Sequence, residues 1–161
     1  MAIHVGDPTS SRLISRQLSP HHIGAYASPD YLARRGVPKH PDDLVDHDCV
    51  IFRFQSSGQV FRWNFVTGEG SLDLMPDAGI VVDTSDAVAA VMAAGGGIGI
   101  TRAYVAASYV KRGELVPLFT EFIEPRSTIT ALWPESRRSN PNVKAFVAYL
   151  KKVFASYASN L

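Results

Sequence analysis

Short apolar runs of strand length alternate with segments of helical period along almost the whole chain, and this alternation restricts the fold more than any other feature. Strands interleaved with helices imply an α/β architecture. Strand patterns are expected at residues 2–6, 13–18, 23–27, 71–74, 79–82, 98–101, 115–119 and 128–133, the one at 79–82 being of the buried kind. Residues 50–54 and 60–65 read as paired strands around Gln55-Ser56-Ser57-Gly58-Gln59. In the second of these, Phe61, Trp63 and Phe65 share one face, and Arg62 and Asn64 share the other.

The clearest local signal follows residue 27. In Ser28-Pro29-Asp30-Tyr31-Leu32-Ala33-Arg34-Arg35-Gly36, a capping hydroxyl precedes a proline suited to the first helical position. Asp30 complements the positive end of the helix dipole, the two arginines its negative end, and Gly36 the left-handed position beyond the C-terminus. Residues 85–94 form a second helix, with Val88, Val91 and Met92 at helical spacing, and residues 104–111 a third, stopped by Gly113. Asn140 and Pro141 open the last helix, on which Val143, Phe146, Val147, Leu150, Val153, Phe154 and Tyr157 make one apolar stripe. Residues 7–11 are a turn cluster, and residues 37–48, with Pro38 and Pro41, a connecting loop with at most one helical turn.

Composition narrows the function classes. The 161 residues suffice for one domain or two small lobes, and 46% hydrophobic against 19% charged residues excludes a largely disordered chain. Sixteen Lys and Arg against fifteen Asp and Glu leave +1, which is no polybasic footprint for nucleic acid. A single cysteine, Cys49, forms no internal disulfide and favours a reducing compartment. The opening Met-Ala-Ile-His-Val-Gly lacks the features of a signal peptide. The longest weakly polar stretch, residues 87–100, has 14 residues with four glycines, short of the roughly 20 apolar residues a membrane span needs. A soluble, cytoplasmic protein is therefore expected.

Motifs for chemistry are scarce. Gly95-Gly96-Gly97-Ile98-Gly99 closes a helix and opens a strand, the reverse of a dinucleotide-binding loop, so it reads as a helix cap with close backbone packing. His4, His21, His22, His40 and His47 do not fall on metal-ligand spacing, and no metal or cofactor is expected. His47-Asp48-Cys49 places neighbours on opposite faces of a strand, which gives no nucleophile–base geometry. No hydrolase, metalloprotease or phosphate-loop pattern occurs, so an enzyme is not expected. At Asp83-Thr84-Ser85-Asp86, a strand ends and a helix starts. Its hydroxyls and amides suit either plain capping or a carboxylate or other polar small molecule, and the two aspartates weaken the case for an anion.

Taken together, several segments resemble the effector-binding domain of LysR-type bacterial transcriptional regulators. The carrying residues are Ala2-Ile3-His4-Val5-Gly6 with residues 11–18, residues 27–36, Pro41-Asp42-Asp43-Leu44 before His47-Asp48-Cys49, and the Trp63 strand. Gly95-Gly96-Gly97-Ile98-Gly99-Ile100, Gly113-Glu114-Leu115-Val116 and residues 141–150 complete the pattern. The resemblance implies a type 2 periplasmic-binding-protein-like α/β fold with a small-molecule cleft. Residues from about 20 to 130 would form a nearly complete second lobe, and residues 1–19 and 131–161 part of the first lobe. It further implies effector contacts at Thr84 and Ser85, with Thr101 and His22 as weaker candidates, and an organic acid as one candidate effector.

Compared with that family, this sequence shows neither the winged helix-turn-helix and linker helix nor the opening strand–helix–strand of the first lobe. Specific DNA binding by this chain is therefore not expected, DNA being reached only through that missing N-terminal part. Unpaired strand edges should favour homo-oligomers. A transporter's solute-binding protein, or an enzyme on the same two-lobed fold such as a small dehydratase, are the competing readings. The absence of an export signal and of a readable acid–base pair argues against them.

Overall fold

The computed structural model describes residues 1–6, 13–123 and 127–158. In chain order the strands are β1 (Ala2–Val5), β2 (Leu13–His21), β3 (Ile23–Ala27), β4 (Cys49–Phe52), β5 (Trp63–Thr67), β6 (Gly70–Leu74), β7 (Ala78–Val82), β8 (Ile98–Arg102), β9 (Val116–Leu118) and β10 (Ser127–Pro134). The helices are α1 (Pro29–Arg35), α2 (Ser85–Ala93), α3 (Ala103–Lys111) and α4 (Pro141–Ala158). Short 3-10 segments occupy Pro41–Asp46 and Glu135–Arg137. The expected turn at residues 7–11, and Arg12, lie outside the described residues. Two compact units divide the chain: Met1–His22 with Pro125–Leu161, and Ile23–Glu124.

The second unit is built on a five-stranded sheet of order β7-β4-β8-β3-β9. β4 runs parallel to β7 and β8, whereas β3 runs antiparallel to β8 and β9. Strand alternation sends Cys49 and Ile51 to one core and Val50 to another. The first core joins them to Tyr31 and Leu32 of α1 and to Trp63 and Phe65 of β5. The other joins Tyr26 and Val50 to Val88 and Met92 of α2, Ala106 of α3 and Leu115. The sheet is thus covered on both faces at its central strands β4, β8 and β3, which is why these read as near-continuous apolar runs.

Local signals explain the helix ends. The Ser28 hydroxyl accepts from the Tyr31 amide at 3.2 Å, and Gly36, at φ +87°, returns its amide to the Leu32 carbonyl. The glycine run does close α2 and open β8. Gly95 has φ +82° and Gly97 φ +139°, and a Cβ on Gly97 would lie 2.3 Å from the Asp48 carbonyl oxygen. Only a bare α-carbon lets β8 start that close to the chain entering β4, where the Ile98 amide donates to the same Asp48 carbonyl at 2.9 Å.

Three expectations are corrected here. The strands expected at 50–54 and 60–65 pair only beside their turn, through the antiparallel bridge Arg53 to Val60 and the amides of Phe54 and Phe61 donating to the Gln59 and Phe52 carbonyls; further on, β5 pairs antiparallel with β6 instead. Trp63 and Phe65 are drawn onto the sheet face by burial, and the chain turns through Gly70 to supply β5 with its own partner. The strand at 79–82 is not buried; β7 is an edge strand, with Ile80 39% and Val81 45% exposed. An apolar run reports strand propensity, not position in a sheet.

The third correction lies in the first unit, a three-stranded antiparallel sheet of order β1-β10-β2 with α4 packed on it. Val143 and Val147 bury against Ala131 and Trp133 of β10, with Ile14 and Leu18 of β2 at the margin. Phe146, counted in the apolar stripe, is 47% exposed and stacks on Tyr149 instead. The stripe is wider than the part of α4 that packs on these strands.

Candidate functional site

The start of α2 shows why hydroxyls were selected there. Thr84 is extended at φ −130°, and its Oγ1 accepts from the Ala87 amide at 3.1 Å, so it caps the helix. The Ser85 and Asp86 amides, in the first turn, lie outside the helix's own ladder. Thr101 on β8 is buried and donates its hydroxyl to the Ser85 carbonyl at 3.1 Å. Arg102, the last residue of β8, donates through Nη1 to the Ser85 hydroxyl. β8 therefore holds the first turn of α2 by two side chains from consecutive residues.

Of the expected site residues, the structure brings Thr84, Ser85 and Thr101 together. His22 belongs to the other unit, where it is half-buried between β2 and β3. Arg102 was missed, because the strand was expected to end at Thr101. The ladder continues one residue further, with Ile23 opposite Arg102. No carboxylate pairs with Arg102 among the described residues. Asp83 and Asp86 flank the turn, so a guanidinium and two carboxylates set the local charge.

This cluster combines hydroxyls, helix amides and one guanidinium, which recognise a polar or anionic group by hydrogen bonds. Elsewhere, Cys49 is fully buried, and burial, with the charges of Asp48 and Asp77, pushes its thiol up to about 12. A thiol so held stays protonated and inert at neutral pH. The His47 Nδ1 lies 3.1 Å from the Tyr31 hydroxyl, which itself accepts from the Asp48 amide at 2.8 Å. His47 is thus engaged with Tyr31, and the Cys49 sulfur lies 3.6 Å from the His47 carbonyl. Among the described residues no group of three potential metal ligands converges, and no helix is long and apolar enough to cross a membrane.

The chain matches the family model described as the LysR substrate binding domain over residues 1–155. A helix-turn-helix-type transcriptional regulator of Escherichia coli, YcaN, is 31% identical over 132 residues, covering 82% of this chain and 42% of that protein. A helix-turn-helix-type transcriptional repressor of Pseudomonas aeruginosa is 28% identical over 153 residues, covering 95% of this chain and 48% of its own length. The chain thus spans about half the length of these curated relatives. In fold, the regulatory domain of CrgA from Neisseria meningitidis superposes with a TM-score of 0.75 at 21% identity, covering 94% of this chain and 74% of that one. Full-length AphB, a virulence activator of Vibrio cholerae, superposes with a TM-score of 0.77 at 19% identity, covering 92% of this chain and 50% of that one. The α/β, periplasmic-binding-protein-like fold expected from the sequence is the fold of these regulatory domains. With its family model matched along nearly its whole length, the chain belongs to the LysR substrate-binding domain family.

Proposed function

We propose that this chain is the effector-sensing part of a cytoplasmic transcriptional regulator and performs no chemistry on what it binds. The observation that carries the reading is the tie from β8 to the start of α2: Thr101 to the Ser85 carbonyl and Arg102 to the Ser85 hydroxyl. A small organic acid accepting from the Ser85 hydroxyl, the first-turn amides and Arg102 would pull on both elements at once. His22 is proposed as a further, weaker effector-binding residue. DNA would be read by length that the curated relatives have beyond this span, and the regulator would act as a homo-oligomer. Sensing then requires the effector to bind one arrangement of the regulator more tightly than another, since equal affinity shifts nothing.

Thermal-shift screening of this chain against aromatic and aliphatic carboxylic acids tests the proposal, because a ligand confined to the folded state raises Tm with concentration. A shift that is lost in Thr84→Ala/Ser85→Ala, with the fold retained, supports the site. An unchanged shift in that double variant places the effector elsewhere.

A further inference from the structure

Within the second unit, a cleft of about 310 Å³ separates the Pro41–Asp46 turn from the segment that joins β6 to β7. Leu44, Val45, Met75 and Pro76 give it an apolar lining, and Asp42 and Asp77 add one carboxylate from each wall. Leu44 is buried, but Val45 is 85% and Met75 48% exposed, so apolar surface is left open to solvent. No lysine or arginine lines the cleft among the described residues, and none forms an ion pair there with Asp42 or Asp77. His40 Nδ1 lies 3.1 Å from Asp42 Oδ2, yet it accepts from the Asp42 amide at 3.3 Å. A ring nitrogen that accepts has no proton to give the carboxylate. Both walls are braced. Asp43 Oδ2 accepts from the Lys39 and His40 amides at 2.8 and 3.0 Å, and the His47 amide donates to the Leu44 carbonyl at 3.2 Å. Arg35 Nη2 donates to the Asp46 carbonyl at 2.8 Å. On the other side only Met75-Pro76-Asp77 links two paired strands, and the proline ring fixes its own φ.

We propose that this cleft binds a small amine with an apolar body, an aryl-alkyl ammonium, at a site separate from the start of α2. The lining selects that class by elimination. A carboxylic acid would meet Asp42 and Asp77 as like charges. A neutral apolar molecule would strip water from those carboxylates and return no hydrogen bond. A wholly polar cation would gain nothing from Val45 and Met75. An ammonium on an apolar body satisfies both parts: its three donors can serve carboxylates from the two walls, and the unbranched Met75 adapts to the body. The volume stands at the lower end of the roughly 300–1,000 Å³ of small-molecule sites, which limits the ligand to about one ring and a short chain. The cleft lies at the amino end of β7 and the start of α2 follows its carboxyl end. Five strand residues at about 3.3 Å each set the two sites roughly 16 Å apart. They also differ in sign, since the start of α2 offers a guanidinium and helix amides, and the cleft offers carboxylates alone as its charged groups.

Backbone amide NMR of the 161-residue chain, titrated with 2-phenylethylamine, tests it. Saturable shifts are expected at Asp42, Leu44, Val45, Leu74, Met75 and Asp77, and the apparent Kd should rise at least about threefold from low to high salt. Phenylacetate has the same ring and the opposite charge, and 1,4-diaminobutane has the charge without the ring. Each should bind the cleft at least about tenfold more weakly than the amine. Asp42→Asn/Asp77→Asn keeps the shape and removes the charge, and Val45→Ser/Met75→Ser keeps the charge and removes the apolar lining. With circular dichroism unchanged, each double variant should weaken the amine at least about fivefold. No saturable shift at the cleft, phenylacetate binding there as tightly as the amine, or an unchanged Kd in the Asn variant overturns the proposal. Amine shifts confined to residues 83–86 overturn it too, because they place the amine at the start of α2. The effector site there is judged separately, by the acid-induced Tm shift and its loss in Thr84→Ala/Ser85→Ala.

Discussion

The two units solve the same problem with unequal means. The second encloses a five-stranded sheet between apolar layers, and Trp63, Phe65, Ile51, Met92 and Val88 are essentially inaccessible. The first has a three-stranded sheet, and its fully or nearly buried hydrophobics reduce to Ile129, Ala131, Leu132, Trp133, Val143 and Val147 among the described residues. Ile3 and Val5 of its edge strand β1 stand 46% and 47% exposed. Burial of apolar area is the main favourable term in folding, at about 25 cal/mol per Å². The comparison therefore teaches that the second unit holds the larger buried core and the start of α2, while the first is built on a thinner one.

The largest test of that contrast sets one core against the other. Trp63→Ala should cost about 3–5 kcal/mol in urea unfolding, because a fully buried indole leaves a cavity under β5. Val147→Ala should cost about 2 kcal/mol or less, since it removes two methyl groups from a thinner core. Equal losses, or a larger one at Val147, would break the contrast.

A second test sharpens it through pH. With the thiol of Cys49 raised to about 12 when folded, and near 9 when unfolded, the native state holds its proton where the unfolded state has lost it. The stability this difference contributes is therefore fully present below pH 9 and declines as pH rises from 9 toward 12. Thiol labelling at pH 8 should be slow in buffer and fast in denaturant. Rapid labelling of the native chain would mean that the second unit opens more readily than its packing implies.

The smallest expected effect is at the hairpin surface. Arg62 donates Nε to both oxygens of Asp73, at 3.1 and 2.9 Å, but both side chains are about half exposed. Arg62→Ala should cost less than about 1 kcal/mol, and less again at high salt. A larger loss would show that the β5–β6 hairpin is held onto the sheet by more than Trp63 and Phe65.

Much of the local structure was legible because it follows from chain-neighbour chemistry. Ser28, Pro29 and Gly36 bound α1 through their own hydroxyl, ring and left-handed backbone, and Thr84 caps α2 in the same way. The polarity of the glycine run was readable for the same reason. Arg102 was less legible: nothing in Thr101-Arg102-Ala103 says where the strand stops, and it is β3 across the sheet that carries the ladder to Arg102. Likewise the edge position of β7 and the exposure of Phe146 depend on how many strands and helices are present to cover an apolar run, which period alone does not report.

By itself, then, the order of residues determined which segments are strand or helix, where helices begin and end, and the family to which their succession belongs. Those properties rest on interactions within a few residues of each other along the backbone. Tertiary structure alone decided that β5 turns to β6 instead of returning to β4, that Arg102 reaches the Ser85 hydroxyl, and that Cys49 is sealed from solvent. Each of these depends on elements distant in sequence meeting at one place, and burial and hydrogen bonding act only once they have met.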